Sequence, residues 1–172
     1  MTVRRSEGKG GMSRIAPCLW FDGEAEEAAD FYVSLLPDSR IERVQRSAVD
    51  GPAGEAGTVL AVEFTLAGQR FLALNGGARF EYTRAVSFQI DCADQAEVDR
   101  LWGALAAGGA PERCGWIKDR YGVPWQIVPS ALPEMLGDPD PAKAGRAMQA
   151  MLGMAKLDIA GLRAAYEGGP PG

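Results

Sequence analysis

The stretch CGWIKDRYGVPWQIVP, residues 114–129, predicts a hairpin that leads into a core strand. In its last part, Trp125 and Ile127 alternate with Gln126 and Val128, so neighbouring side chains point to opposite faces of the strand. One face is apolar, while the other presents the amide of Gln126. This amide raises the question of whether the strand serves packing alone or also a chemical site.

A similar stretch occurs earlier in the chain. The segment GQRFLAL (68–74) aligns with GVPWQIV (122–128), which matches Phe71 with Trp125. A second alignment, shifted by 70 positions, matches a predicted helix in one half with a predicted helix in the other. Both halves are therefore predicted to contain a strand, a helix and three strands, and this shared order indicates an internal duplication. The second half has room for only two short strands before its last one.

We predict an α+β fold of two βαβββ modules followed by helices. After the second module no strand pattern occurs, and Asp138 or Asp140 is expected to cap a helix that begins near Pro141. Its methionine-rich face either packs internally or forms a flexible surface for a partner. The predicted organisation is a disordered N-terminal tail (1–13), a first module (14–80), a second module (81–129), a C-terminal helical extension (130–168) and a tail (169–172).

Composition limits the partners and the compartment. The 172 residues carry a net charge of −5, so the chain has little electrostatic means of holding a nucleic acid. No apolar run is long enough to span a membrane, and the start lacks the apolar region of a signal peptide. We therefore expect a cytoplasmic protein that binds neither nucleic acid nor membrane, with Met1 or Met12 as its natural start.

The chain contains no histidine, which excludes a Ser-His-Asp or Cys-His arrangement and removes the commonest transition-metal ligand. Acid–base chemistry would fall to Asp, Glu, Lys, Tyr or Cys. The three cysteines are odd in number and lack C-x-x-C spacing, so neither a disulfide framework nor a zinc site is expected. They are either buried, reduced thiols or include a reactive thiol at Cys18 or Cys114.

The paired βαβββ units resemble the vicinal oxygen chelate superfamily of glyoxalases, extradiol dioxygenases and bleomycin-resistance proteins. The nearer resemblance is to the PhnB-like group, which bears the label 3-demethylubiquinone-9 3-methyltransferase. The resemblance implies that each unit forms a curved, half-barrel mixed sheet. It rests on five segments between about residues 14 and 160: PCLWFDGEAEEAADFYVSLLPDSRI, FTLAGQRFLALNGG, VSFQIDCADQAEVDRLW, CGWIKDRYGVPWQIVPSALPEML and DPDPAKAGRAMQAMLGMAKLDI.

In this superfamily, metal ligands lie on the first and last strands of each unit, usually His or Gln first and Glu last. The corresponding positions in this sequence are Pro17, Ala85 or Ser87, Leu72 or Leu74, and Gln126. A shift of one or two positions would bring in Asn75, Gln89 or Cys18. Neither set contains a carboxylate, and one neutral amide with a hydroxyl is a poor site for a divalent ion. We expect the superfamily's metal site to be lost, and no cofactor to replace it.

The methyltransferase label has no support in the sequence. A methyl donor typically binds at a glycine-rich turn between a strand and a helix. The one candidate, LNGG (74–77), leads towards another strand, so we interpret it as a turn that links the modules.

Curved sheets would still enclose a cavity for a small molecule. The predicted ligand-binding residues are Trp20, Phe64, Leu72, Phe88, Gln89, Trp125 and Gln126. The aromatic residues either stack on a planar ligand or fill the core, and each amide needs a polar partner. Glu63 is either a surface residue or an inward base with a raised pKa. Lys118 and Tyr121 either close over a ligand or belong to a charged hairpin turn.

We therefore predict a metal-free small-molecule binding protein whose specific activity is unknown. The alternative is an enzyme, either metal-independent or with an atypical metal site, that acts on a small aromatic or oxygenated metabolite. A third hypothesis is an interaction protein dominated by its C-terminal helices. We expect a homodimer, because superfamily members commonly pair units across chains and each unit leaves sheet edges to cover.

Overall fold

A computed structural model describes residues 14–169. The tail predicted at 1–13, and all but the first residue of the tail predicted at 169–172, lie outside these residues. The chain divides into two compact units, and the boundary along the chain falls between Phe80 and Glu81.

The first unit is a four-stranded mixed sheet with one helix. Its elements are β1 (Cys18–Phe21), α1 (Ala25–Val33), β2 (Arg40–Arg46), β3 (Val59–Leu66) and β4 (Gln69–Asn75). The strand order is β1-β4-β3-β2, with β1 parallel to β4 and the other pairs antiparallel.

The second unit repeats this topology and adds three helices. Its elements are β5 (Phe88–Cys92), α2 (Gln95–Ala106), β6 (Ala110–Pro111), β7 (Trp116–Lys118), β8 (Pro124–Pro129), α3 (Ala131–Leu136), α4 (Pro141–Gly153) and α5 (Ile159–Tyr166). The order β5-β8-β7-β6, again with one parallel pair, matches the first sheet. The predicted α+β class with two βαβββ modules is confirmed.

Aromatic rings fill the space between α1 and its sheet. The ring of Tyr32 stacks on that of Phe64 with centroids 6.1 Å apart, and Phe64 stacks on Phe71 at 5.3 Å. Because Phe64 and Phe71 are cross-strand partners, both side chains point to the same side of the sheet. That side is the hydrophobic core of the first unit.

The N-terminus of α1 is held by a side chain from the sheet. Glu24, at the N-cap position, makes no capping hydrogen bond. Instead, Oδ1 of the buried Asn75 accepts hydrogen bonds from the backbone N–H groups of Gly23 and Ala25, each at 3.0 Å. Its Nδ2 donates to the carbonyl of Val59 at 2.9 Å. One residue at the end of β4 thus satisfies three backbone groups.

In the second unit, the N-cap of the helix is local. Oδ1 of Asp94, the N-cap residue of α2, accepts a hydrogen bond from the N–H of Glu97 at 2.9 Å. The helix buries Val98, Leu101 and Leu105, and the sheet buries Trp125.

The turn between β7 and β8 is organised by the buried carboxylate of Asp119. Its Oδ1 accepts from the N–H groups of Tyr121 and Val123 at 2.8 and 3.0 Å, and its Oδ2 accepts from Nε1 of Trp125 at 2.9 Å. These hydrogen bonds offset the cost of burying the charge. Tyr121 therefore lies in a tight hairpin turn.

The C-terminal helices close a core of their own against the end of β8. Asp140 caps α4, and Pro141 occupies its first turn. Of the two residues predicted as the cap, the structure therefore selects Asp140. The buried residues of this core are Val128, Leu132, Met135, Ala147, Leu157 and Leu162. Met151 and Met154 pack against it, whereas Met148 is 41% exposed.

The connection between α4 and α5 is hydrogen-bonded to the turn that precedes β7 in the second sheet. The N–H groups of Cys114 and Gly115 donate to the carbonyls of Met154 and Ala155, both at 2.8 Å. A Cβ on Gly115 would lie 2.7 Å from the carbonyl oxygen of Ile127, so glycine is required at this close approach. Within residues 14–169, no helix is both long and apolar enough to cross a lipid bilayer.

Candidate ligand-binding faces

We define the open face of each sheet as the side opposite its helix, α1 in the first unit and α2 in the second. In the first unit, strand pairing places Cys18 beside Leu72 and Trp20 beside Leu74 on this face. Leu72 also pairs with Glu63, and Arg70 pairs with Thr65. In the second unit, Gln89 pairs with Gln126, which in turn pairs with Trp116.

The seven predicted ligand-binding residues divide between the two sides of the sheets. Those on the open faces are Trp20, Leu72, Gln89 and Gln126, and those on the helix sides are Phe64, Phe88 and Trp125. Consecutive strand residues point in opposite directions, so Phe88 and Gln89 do not share a face, nor do Trp125 and Gln126. Phe64 is fully buried beneath α1, and Trp125, 1% exposed, contacts Phe88 at 5.3 Å.

Trp20 is held in place by the segment that follows β4. Its Nε1 donates to the carbonyl of Ala78 at 2.8 Å, and its ring meets Phe80 edge to face at 5.3 Å. A Cβ on Gly76 would lie 1.7 Å from the indole ring, so the ring occupies the space that a side chain there would need. Trp20 borders the open face with a fixed orientation.

The predicted metal-ligand positions do not present a ligand set. Leu72 has no donor side chain, and the carbonyl of Pro17 accepts the N–H of Leu72 at 2.9 Å. The amide Nε2 of Gln126 donates to Oγ of Ser87 at 2.8 Å, so these two positions are hydrogen-bonded to each other. Among residues 14–169, no three His, Cys, Asp or Glu side chains are grouped so that they could hold a metal ion. The donors present do not fit the superfamily's metal site.

Glu63 lies on the open face, where it is ion-paired. Its carboxylate contacts the guanidinium of Arg43 at 2.5 Å and that of Arg70 at 3.5 Å. The hydrogen bond from Arg43 lowers the pKa of Glu63 below its usual value. The predicted alternative of a base with a raised pKa is therefore wrong.

The same face carries a cluster of charges that we call the arginine cluster: Arg40, Arg43, Arg70, Glu42 and Glu63. Glu42 contacts Arg40 at 2.8 Å and accepts a hydrogen bond from the hydroxyl of Thr65 at 2.6 Å. Three guanidinium groups against two carboxylates give the cluster a charge of +1 in a chain whose net charge is −5. Sequence reasoning missed the cluster, although the strand pattern RIERVQR (40–46) already showed Arg40, Glu42 and Arg43 on one amphipathic strand.

Cys18 and Cys92 show no sign of an activated thiol. Loss of water around the thiols raises the pKa of Cys18 and, more strongly, raises the pKa of Cys92 to about 12. All three thiols, including that of Cys114, are unbridged. A raised pKa reduces the thiolate fraction, which is the reactive form.

The glycine pair after β4 is a packed turn. Beside Gly76, which lies against Trp20, Gly77 approaches Pro52 so closely that a Cβ would lie 1.8 Å from its carbonyl oxygen. The chain then continues to β5 without a helix. The residues at this turn do not fit a methyl-donor site, because the space beside both glycines is filled by the protein itself.

Comparisons with known proteins agree with this architecture. The model of the family described as 3-demethylubiquinone-9 3-methyltransferase matches residues 13–128. A Bacillus cereus PhnB protein, described by the same enzyme name, is 35% identical over 69% of this chain and 100% of its own, with a TM-score of 0.63. Protein PA1353 of Pseudomonas aeruginosa is 22% identical over 68% of this chain and 97% of its own, with a TM-score of 0.57. A comparison with curated proteins gave no match.

The paired βαβββ units and these matches define a protein with the vicinal oxygen chelate fold. Within that class, the chain belongs to the 3-demethylubiquinone-9 3-methyltransferase family. One of its structural relatives is the PhnB protein of Bacillus cereus. The family match ends at residue 128, before α3, and so is shorter than the span to about residue 160 expected from the sequence.

Proposed function

We propose that this protein binds a small molecule on the open faces of its sheets and does so without a resident divalent metal. The observation that supports the metal-free part of the proposal is the hydrogen bond between Gln126 and Ser87. It joins Gln126 to Ser87, one of the two alternatives for the first-strand position of the second unit, through a neutral amide and a neutral hydroxyl. In the first unit the equivalent last-strand position is Leu72, which offers an apolar contact in place of a donor.

Methyl transfer, which the family name suggests, has less support. The glycine turn at residues 76–77 is packed against Trp20 and Pro52. A methyltransferase would need a donor site elsewhere in the chain. We therefore assign the family's fold to this protein and leave its named reaction out of the proposal.

The first test is elemental analysis of the full chain, purified without chelator or affinity metal, followed by calorimetric titration with Zn²⁺, Ni²⁺, Mn²⁺ and Fe²⁺. We expect no submicromolar binding of any of these ions. The Gln126→Ala variant is the control, because a metal held at the superfamily position would bind more weakly to it. Stoichiometric metal that this variant loses would overturn the metal-free assignment.

The second test concerns binding itself. Native mass spectrometry of the freshly purified chain is expected to show a copurified small molecule, and adding that molecule back after its removal should raise the melting temperature. A parallel titration with S-adenosylmethionine should give no heat of binding. Binding of this donor would instead favour the reaction in the family name.

We further propose that the protein acts as a homodimer in a reducing compartment, the cytoplasm. The strands β1 and β5 lie at the edges of their sheets, and exposed edges favour pairing with another chain. The three unbridged thiols suit a reducing compartment. Sedimentation velocity across a concentration series tests the dimer, and a single monomeric species at all concentrations would exclude it.

A further inference from the structure

We propose that the open face of the first unit binds a small organic anion, with the anionic group on Arg70 and an apolar body on Leu72. The inference rests on the proposed binding function and adds the chemical class of the ligand. It is argued from the arginine cluster and from the apolar residues beside it.

The cluster has an excess of positive charge at one point. Arg43 and Arg70 share the single carboxylate of Glu63, and the contact of Arg70, at 3.5 Å, is the longer of the two. A guanidinium group has five N–H donors in a planar fork that suits a carboxylate or a phosphate. The side chain of Arg70 is 37% exposed, so an incoming anion can reach it.

The neighbouring part of the face is apolar. Leu72 and Leu74 follow Arg70 at alternate positions along β4, and they pair with Cys18 and Trp20 of β1. Two residues along a strand span about 7 Å, so a guanidinium and a leucine side chain at this spacing match a compact ligand with one charged end. Trp20, fixed by Ala78 and Phe80, limits the face on the far side.

The second unit does not offer this combination. By the internal alignment, Pro124 takes the place of Arg70, and β6 has only two residues where β2 has seven. The anion site is therefore assigned to the first unit.

The test is calorimetric titration of the full chain at low ionic strength with benzoate, phenyl phosphate and the neutral benzamide. We expect both anions to bind and benzamide to bind at least about tenfold more weakly, because it lacks a charge-assisted hydrogen bond. Tighter binding of phenyl phosphate would identify a phosphate ester as the ligand type, and tighter binding of benzoate a carboxylate. Either order supports the site.

Two substitutions with opposite expected effects on anion affinity test whether the site lies at Arg70. Arg70→Gln should weaken binding of the preferred anion about tenfold. Glu63→Gln should strengthen it severalfold, because Arg43 and Arg70 lose their competing carboxylate. Arg113→Gln, which removes an exposed arginine of the second unit, should leave the affinity unchanged. A purely structural ion pair would give no gain in Glu63→Gln.

Equal affinities for benzamide and benzoate would overturn the inference, as would Arg70→Gln and Glu63→Gln variants that both behave like the unmodified protein. No binding of either anion at millimolar concentration would also overturn it. Should a copurified ligand prove neutral or cationic, the inference fails while the proposed binding function stands.

Discussion

In the first unit the N-terminus of α1 depends on Asn75, a residue at the end of the sheet, whereas in the second unit α2 is capped by its own Asp94. The internal alignment explains the difference, because the position of Asn75 is taken by Pro129, which has no side-chain donor or acceptor. Two copies of one topology thus satisfy the same backbone groups from different parts of the chain. These hydrogen bonds couple the helix of the first unit to its sheet, whereas Gln95 at the start of α2 is hydrogen-bonded to Leu157 and Ile159.

The open faces of the two sheets also differ in the side chains that they present. The first presents the arginine cluster next to leucines, and the second presents the Ser87–Gln126 hydrogen bond. One end of β8 is also covered, since Val128 belongs to the core formed with the C-terminal helices. The two sheets share one strand order, but their open faces differ in chemistry.

The largest effect is expected from Asn75→Ala, which leaves three backbone groups of the first unit without their partner. We expect a loss of about 3 kcal/mol in the free energy of unfolding, measured by urea denaturation. Asn75→Asp keeps the acceptor oxygens and loses the donor to Val59, so its loss should be smaller. If Asn75→Ala lowered the free energy of unfolding no more than the removal of the Asp94 cap in the second unit, the proposed difference between the two helices would not exist.

That matched substitution is Asp94→Ala, expected to cost about 1 kcal/mol because it removes one local cap. Urea denaturation under the same conditions gives the comparison. Asp94→Ser, which retains a capping oxygen, should recover most of the loss. A cost equal to that of Asn75→Ala would mean that α2 relies on its cap as strongly as α1 relies on the sheet.

A smaller effect is expected when the open face of the second unit is made to resemble the first. Replacing both partners, with Ser87→Ala and Gln126→Leu, removes a hydrogen bond together with its donor and acceptor. The unfolding free energy should change by less than about 1 kcal/mol, and the double substitution should cost less than the two single ones added together. Strict additivity in a double-mutant cycle would show that the two side chains are not coupled.

The smallest effect on the free energy of unfolding at neutral pH is expected from a hydrogen bond in the C-terminal helices. These helices have no counterpart in the first unit. The hydroxyl of Tyr166 donates to Asp138, and this bond raises the pKa of Tyr166 from 10.0 to about 12. The folded chain keeps the proton more tightly than the unfolded chain. The stabilisation is therefore fully present below pH 10 and is lost as the pH rises to about 12.

Tyr166→Phe checks this pH dependence. The difference in unfolding free energy between the two proteins should be constant up to pH 10 and then shrink towards pH 12. Lysines and the other tyrosines titrate in the same range, but they are common to both proteins and cancel in the difference. A difference that stays constant to pH 12 would contradict the role of the hydroxyl.

Strand periodicity and the internal repeat were sufficient to predict the order of the elements in the two modules. Capping residues predicted the helix that begins after Asp140. The residues of the open faces were harder to predict. The proposed site combined neighbouring residues such as Trp125 and Gln126, which point to opposite sides of the strand. The Asn75 cap could not be predicted, since it joins groups that are far apart in sequence. The arginine cluster depends in the same way on the register between β2, β3 and β4.

The contact of Cys114 and Gly115 with Met154 and Ala155 has a consequence for the order in which the protein can be made. During synthesis, all four strands of the first unit are available once Asn75 has left the ribosome. In the second unit, the N–H groups of Cys114 and Gly115 gain their acceptors only when the connection that follows α4 has also been made. At about 5–20 residues per second, this takes some seconds after β8 has emerged. All strands of the first unit can therefore pair before the second unit has its last backbone partners.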